Sequence, residues 1–481
     1  MKRKYRRTFY FIMTALLPYI FLNPADSGVN SFPRMEVSPE AVYLKPCGIS
    51  GRESGTALPS PEGRGADTEE SGKGLLIPEE VISYWRSAMP RTERTVPDKF
   101  PPAVDWSPYD SPVKSQGACG ACAVFAAAAL IENMVRQQYP GMNTDLSEQV
   151  ILSCIPGMSC MGGWYYDVFS HIRSFGAVSE DCYPYAGRKG DCDLLCTYPD
   201  YLVKIRDHSP ALSLWGENHS ADDLRRALQN GPLVVSMRVP DDGTFEGRGY
   251  RGGVYDYEGG PISWTDNAHA VLLVGYNDEE QSFRAKNSWG AQWGEKGYFR
   301  IAYDDVSDDV KFGSYACAAS GVLLIKRPAL LRISNPGTEV LNVSRIRCNE
   351  DRLNISPDSD FRVFPDSFQT VIVSVPDWEA IPASGVQTDI RIRSDAFQNP
   401  SVTVSVTAER PPCSGGIELG NMDCSENGTV LKDAIITLQI LTGNGSGELC
   451  YNYPESGADV NGDKRAGMEE VIYILRYVGG L

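Results

Sequence analysis

The chain has only four histidines in 481 residues, and beyond its first 22 residues no apolar run approaches the roughly 20 residues that a membrane-spanning helix needs. The second absence leaves no further candidate for a membrane-spanning helix. The first confines any imidazole chemistry to His171, His208, His219 and His269. Positive charge is short as well: 45 Lys and Arg stand against 62 Asp and Glu, for a net charge of −17. A surface of that sign argues against nucleic acid and anionic membranes as partners and mainly favours solubility. Residues 48–75 hold no aromatic residue and are rich in Gly, Ser, Glu and Pro. Such a stretch has no core to bury and is expected to be poorly ordered.

Residues 1–25 read as a signal peptide, because Lys2, Arg3, Lys4, Arg6 and Arg7 precede an apolar run from Phe9 to Leu22. An uncleaved anchor is the alternative. Thirteen cysteines fit export to an oxidising compartment, secreted or at the cell surface, since disulfides persist outside the cytosol. The length allows about three domains.

The stretch P-V-K-S-Q-G-A-C-G-A-C-A-V-F, Pro112 to Phe125, carries the chemistry. Ala123 to Arg136 has the composition of a helix, which places Cys122 at a helix N-terminus, where unpaired N–H groups and the dipole lower a thiol pKa. Cys122 is therefore a candidate nucleophile. Gln116, on the Gly-containing loop ahead of it, can supply a side-chain N–H to an oxyanion together with the Cys122 N–H. His269 enters a strand-like run, A-H-A-V-L-L-V-G-Y. Asn287 follows in K-N-S-W-G-A-Q-W-G, where it can accept the His269 ring N–H while Trp289 and Trp293 shield that bond.

Cys119-Gly-Ala-Cys122, with His269 and Asn287 far downstream, resembles the papain family of cysteine peptidases, over roughly Phe100 to Val322. Ala123 departs from the aromatic usual at its position. The resemblance implies Cys122 as nucleophile, His269 as general base and acid, Asn287 as its orienter and Gln116 as oxyanion donor, with no cofactor for catalysis. A lone C-x-x-C can also be a redox or metal pair, but the resemblance implies a Cys119–Cys160 disulfide that leaves Cys122 free. Cys154–Cys192 and Cys182–Cys196 follow from likeness to the dipeptidyl-peptidase (cathepsin C) branch. A zinc site at Cys182, Cys192 and Cys196 is the competing reading. No exclusion domain and no occluding histidine pair are evident, so the expectation is an endopeptidase with an open cleft acting on proteins or peptides. Substrate-binding residues carry over as Gly162, Gly163, Trp164, Ala270 and Trp289. Ala268 and Val322 join Trp164 and Ala270 in an apolar pocket favouring a bulky hydrophobic residue two places before the scissile bond. Residues 26–99 are the expected pro-region, with a short amphipathic helix near Pro78 to Met89, and 100–321 the peptidase domain.

Residues 322–410 alternate with period two in L-R-I-S, V-L-N-V-S-R-I, F-R-V-F, T-V-I-V-S-V, D-I-R-I-R and S-V-T-V-S-V-T, the pattern of an immunoglobulin-like β-sandwich. In 415–481, two helical segments starting at Asp433 and Glu470 repeat at an offset of 37. The second follows an acidic loop with Asp459, Asn461, Asp463 and Glu470 spaced to wrap a hard cation, the Arg465 carbonyl filling in. The first offers Asp423, Ser425 and Asn427, with Asp433 one position early. The pair resembles a dockerin, which implies Ca2+ and a cohesin-like partner. The expected architecture is thus α+β: a two-lobed papain-like domain, an all-β sandwich and a small α-helical dockerin-like domain. The rival readings are an inactive peptidase fold used for adhesion or assembly, and a thiol–disulfide exchanger.

Overall fold

The computed structural model describes residues 32–44, 73–78, 100–139, 142, 144–192, 195–212, 219–262, 268–382, 384–409, 434–435, 437–438 and 468–478. The expected signal peptide, the helix from Pro78 to Met89, apart from Pro78, and both acidic loops, apart from residues 468–470, lie outside them. No helix among the described residues is long and apolar enough to cross a membrane.

Cys122–Gln138 is a helix because the strong helix formers Ala, Leu, Met, Glu, Gln and Arg fill eleven of its 17 positions. It is buried on every side from Cys122 to Asn133, so it serves as the spine of one lobe rather than as a surface helix. Against it packs the other lobe's sheet, which orders its strands as Ala177–Val178, Tyr201–Pro210, Ser314–Lys326, Leu233–Arg238, Ala268–Asn277, Ser282–Lys286, Tyr298–Ala302 and Val254–Tyr255, with Ala103–Asp105 on Ala268–Asn277. Ala268–Asn277 is buried along almost its whole length, as a central strand covered on both faces must be.

The loop leading to Cys122 is anchored by a buried charge cluster. Lys114 Nζ donates to Glu132 Oε1 (3.0 Å), Glu148 Oε1 (2.9 Å) and the Leu146 carbonyl (2.9 Å), and pairs with Asp145 (2.6 Å). Burial pushes the Glu148 carboxyl up to about 8 against the pull of Lys114.

The peptidase sheet continues past the expected boundary at 322. Val322 to Lys326 pair with Ile205 to Tyr201, and the next strand, Ala329–Asn335, is the first of the sandwich to follow. That sandwich has two sheets around one apolar core. One orders Glu36–Ser38, Ala329–Asn335, Ser367–Ser374 and Asn354–Ser356; the other orders Phe361–Val363, Leu341–Cys348, Val386–Ser394, Ser401–Ala408 and Ala41–Leu44. Each sheet is thus bordered by a strand from the N-terminal segment, which the sequence reading gave to the pro-region. Met35, Val42 and Leu44 are buried in the sandwich core. The short runs M-E-V-S and A-V-Y-L alternate in the manner of strands, but nothing local says which sheet they join.

Candidate active site

The Gln116 loop and the Asn287 segment are knit together by main chain: the Gln116 N–H donates to the Ser288 carbonyl (2.9 Å) and the Gly290 N–H to that of Lys114 (3.1 Å). Cys122 is the first residue of its helix, and Ala121 before it offers no side-chain cap. The dipole favours a thiolate there. Burial opposes it and prevails, pushing the thiol up to about 11, while backbone N–H groups around the sulfur, including those of Ala270 and Gly74, pull the other way.

His269 is buried one residue into its strand. Its Nε2 lies 2.8 Å from Asn287 Oδ1, and the same oxygen accepts the Ser288 N–H at 2.8 Å. Because a backbone N–H can only donate, the shared atom is an acceptor oxygen and the imidazole proton sits on Nε2. Nδ1 then carries the lone pair, and among the described residues it has no hydrogen-bond partner. Trp289 stacks on the imidazole at 4.7 Å between ring centroids, and Trp293 meets Trp289 edge-on at 5.0 Å. Burial pulls the His269 pKa down to about 4, opposed by the Asn287 bond. Gln116 Nε2 donates to the Cys119 carbonyl (2.8 Å), and its Oε1 accepts from Ser288 Oγ (2.5 Å). Tyr185 Oη bonds the Gln116 carbonyl (2.9 Å). Sequence reasoning missed Ser288 as a support of the Gln116 side-chain amide and Tyr185 as a support of its main chain.

Residues 100–319 match the family model described as papain family cysteine protease. Zingipain-2 of Zingiber officinale is 32% identical over 222 residues, covering 45% of this chain and 94% of the relative. Cathepsin B-like CP3 of Giardia intestinalis is 30% identical over 249 residues, 49% of this chain and 79% of the relative. Viral cathepsin of the Lymantria dispar multicapsid nuclear polyhedrosis virus is 33% identical over 234 residues, and there the chain spans only 61% of the relative. The chain belongs to the papain family of cysteine proteases.

Of the two cysteines in this papain-family C-x-x-C, Cys119 is bonded to Cys160 and Cys122 is free, which corrects a dithiol redox reading. Cys154–Cys192 and Cys182–Cys196 are also bridged; the zinc reading falls because Cys182 and Cys196 ligate each other. Cys317 and Cys348 are free, and Cys413, Cys424 and Cys450 lie outside the described residues.

Residues 73–78, within the expected pro-region, cross the cleft. The Leu76 N–H donates to the Gly163 carbonyl (3.0 Å), the Gly163 N–H to the Gly74 carbonyl (2.9 Å) and the Leu75 N–H to the Ala268 carbonyl (3.2 Å). Leu75 and Gly163 form a parallel bridge. The crossing passes so close to the nucleophile loop that a Cβ on Gly74 would stand 2.3 Å from the Gly120 carbonyl oxygen, which only glycine permits. Lys73 pairs with Glu246 on the opposite wall (2.5 Å).

Gly163, Trp164, Ala268 and Ala270 gather here, and Leu75 shares a buried apolar cluster with the last three. A Cβ on Gly163 would fall 1.8 Å from Met158 Sδ, so Met158 shapes this wall, a residue the sequence reading passed over. Trp164 is buried among the rings of Tyr165, Tyr166 and Tyr315. Val322 belongs to the same buried cluster and also borders a hollow of about 590 Å³ with Leu130 and Met134. Those residues lie eight and twelve positions along the helix from Cys122, roughly 12 Å and more at 1.5 Å per residue. Glu470 falls in the helix Met468–Val478, while Asp459, Asn461, Asp463, Arg465, Asp423, Ser425 and Asn427 lie outside the described residues. Among the described residues no group of three or more His, Cys, Asp or Glu is placed to hold a metal.

Proposed function

We propose that the chain is an exported cysteine endopeptidase that hydrolyses peptide bonds through Cys122, His269 and Asn287. The observation that carries this reading is the His269–Asn287 bond, which commits the proton to Nε2 and leaves the Nδ1 lone pair to take the thiol proton. The Cys122 thiolate then attacks the peptide carbonyl, and the oxyanion is held by the Cys122 N–H and the Gln116 amide. Imidazolium gives its proton to the leaving amine, and a water deprotonated by His269 releases the acyl-enzyme. While Lys73–Pro78 covers the site, burial favours the neutral thiol and neutral imidazole over the ion pair. Leu75 in the apolar cluster with Trp164, Ala268 and Ala270 supports a preference for a bulky hydrophobic substrate residue.

The tail is read as a calcium-dependent, dockerin-like tether to a cohesin-like partner. At the 37-residue offset, buried Ala434 and Thr437 correspond to buried Val471 and Ile474, and exposed Ile435 and Leu438 to exposed Ile472 and Leu475, which supports a true repeat. The sandwich is read as immunoglobulin-like. Secretion is supported by the basic-then-apolar start and the three bridges.

Peptide-library hydrolysis by purified, matured protein tests the reading. Cys122→Ala should abolish turnover, and His171→Ala should leave it almost unchanged. Turnover by Cys122→Ala would overturn the mechanism, and absence of turnover in the matured wild type would favour the adhesion or assembly reading.

A further inference from the structure

Residues 32–44 are laid across both sheets of the sandwich. Glu36–Ser38 pairs antiparallel with Ser334 to Arg332, and Ala41–Leu44 pairs in parallel with Ser405 to Ala408. The contacts continue beyond the strands. The Arg34 N–H reaches Asn335 Oδ1 (3.2 Å), the Phe397 N–H reaches the Pro33 carbonyl (3.2 Å) and the Glu409 N–H reaches the Leu44 carbonyl (3.0 Å). Phe32 stacks on Phe397 at 4.2 Å. Val42 and Leu44 are fully buried and Met35 nearly so. Removing this segment would strip one edge from each sheet and open the core between them. It is a structural part of the sandwich, although the whole peptidase domain separates the two in sequence.

The same N-terminal segment, further along, lies in the cleft at Lys73–Pro78. One end of it is therefore built into a folded unit and the other blocks the nucleophile. We infer that a single cut between Pro78 and Phe100 leaves the N-terminal segment on the molecule, held by residues 32–44, so that Lys73–Pro78 stays in the cleft until a second cut falls between Leu44 and Lys73. Each cut is the hydrolysis of one peptide bond by one water. Retention follows from the strand pairing, because the fragment rejoins the cleft at the effective concentration of a short tether, on the order of millimolar, rather than at its bulk concentration. The inference about activity rests on the peptidase reading; the inference about retention does not.

The test uses the full chain carrying Cys122→Ala, to prevent self-cleavage, and Cys47→Ser, so that a disulfide from that residue cannot account for retention. Residues 91–97 are replaced by the recognition sequence of a site-specific protease. After cutting, gel filtration in non-denaturing buffer should show the N-terminal fragment co-eluting with the remainder. Elution apart would overturn the inference. Val42→Asp in the same protein should release the fragment after the cut; retention would overturn the assigned anchor. If that variant does not fold, a second engineered site within 45–72 replaces it: after both cuts the piece containing Lys73–Pro78 should elute separately while the strand piece remains. In protein with Cys122 intact, with each cut verified by intact mass, the singly cut form should hydrolyse a fluorogenic peptide at under a tenth of the doubly cut rate. Equal rates would overturn the inference. No hydrolysis by the doubly cut form, with the fragment retained after one cut, would overturn the peptidase reading alone.

Discussion

In the proposed mechanism Asn287 acts on the reaction only through the ring it holds. Its Oδ1 accepts hydrogen bonds from the His269 Nε2–H and the Ser288 N–H together, so Asn287→Ala releases the tautomer and the ring plane but removes no reacting atom. The expected result is a fall in kcat of about 10²-fold, the low end of what general acid–base catalysis supplies, with KM little changed; steady-state kinetics on one peptide substrate checks it. A second residue-scale prediction concerns stability. Asp305 is fully buried, accepting the Tyr257 N–H (3.3 Å), and burial beside Asp308 pushes its carboxyl up to about 9 from 3.8. Between those values the unfolded chain has lost a proton that the folded chain keeps, so stability falls as pH rises through that window. Asp305→Asn removes the dependence. Its melting temperature should match that of the wild type near pH 4 and exceed it increasingly toward pH 9, by an amount on the order of 2–4 °C per kcal/mol recovered. A constant difference across that range, read by thermal melts at several pH values, would sink the explanation. The four residues proposed for the site, Cys122, His269, Asn287 and Gln116, were readable as candidates because their proposed chemistry restricts residue type. Ser288 and Tyr185 were not, since a hydroxyl that orients a neighbour looks the same in sequence as one that faces water.

At the scale of elements, the segment Lys73–Pro78 is held in the cleft by three main-chain bonds, the Lys73–Glu246 ion pair and one buried side chain, Leu75. Main-chain bonds to Gly163 and Ala268 would be offered to any extended chain, so the ion pair and Leu75 give this segment its particular hold. Leu75→Asp places a charge in the apolar cluster of Trp164, Ala268 and Ala270 and loses roughly 1.5–3 kcal/mol of burial in addition to the cost of desolvating a carboxylate. In the full chain this variant should raise the rate of Cys122 alkylation by iodoacetamide at least tenfold, while Leu76→Asp, at a half-exposed position, should change it little. Equal rates in the two variants would mean that the main-chain bonds and the Lys73–Glu246 pair hold the segment without Leu75. The crossing was not legible: G-K-G-L-L sits in a stretch whose composition has no core of its own, and its order comes from the cleft it enters. Strands of the sandwich were legible wherever alternation was long, as in Ser401–Ala408. Asn354–Ser356, three residues long, was too short to show a period.

The molecule as a whole joins its sandwich to the peptidase domain through a shared apolar cluster, in which Leu330 and Ile372 meet Val150, Val178, Tyr183 and Leu202. Polar bonds flank it: the Leu330 N–H donates to the Thr197 carbonyl (2.8 Å) and the Arg327 N–H to that of Asp200 (2.9 Å), and Arg332 Nη2 reaches the Cys192 carbonyl (3.3 Å). Two of the disulfides end at Cys192 and Cys196, so they staple the loop that receives these bonds. The sequence carried a sign of this junction. Most sandwich strands alternate, but Ala329-Leu-Leu and Val371-Ile-Val are apolar at consecutive positions, the mark of a strand covered on both faces. Val371 and Val373 point into the sandwich core and Ile372 into the junction. Ile372→Asp should therefore spare the sandwich core and break the junction. Wild-type protein is expected to melt in one cooperative step, and the variant in two, with the lower step shifted by several degrees. The matured variant should keep its peptidase kinetics at temperatures below both steps, because no residue of the active site touches Ile372. A single unshifted transition in calorimetry would show that the two units melt together for some reason other than this cluster.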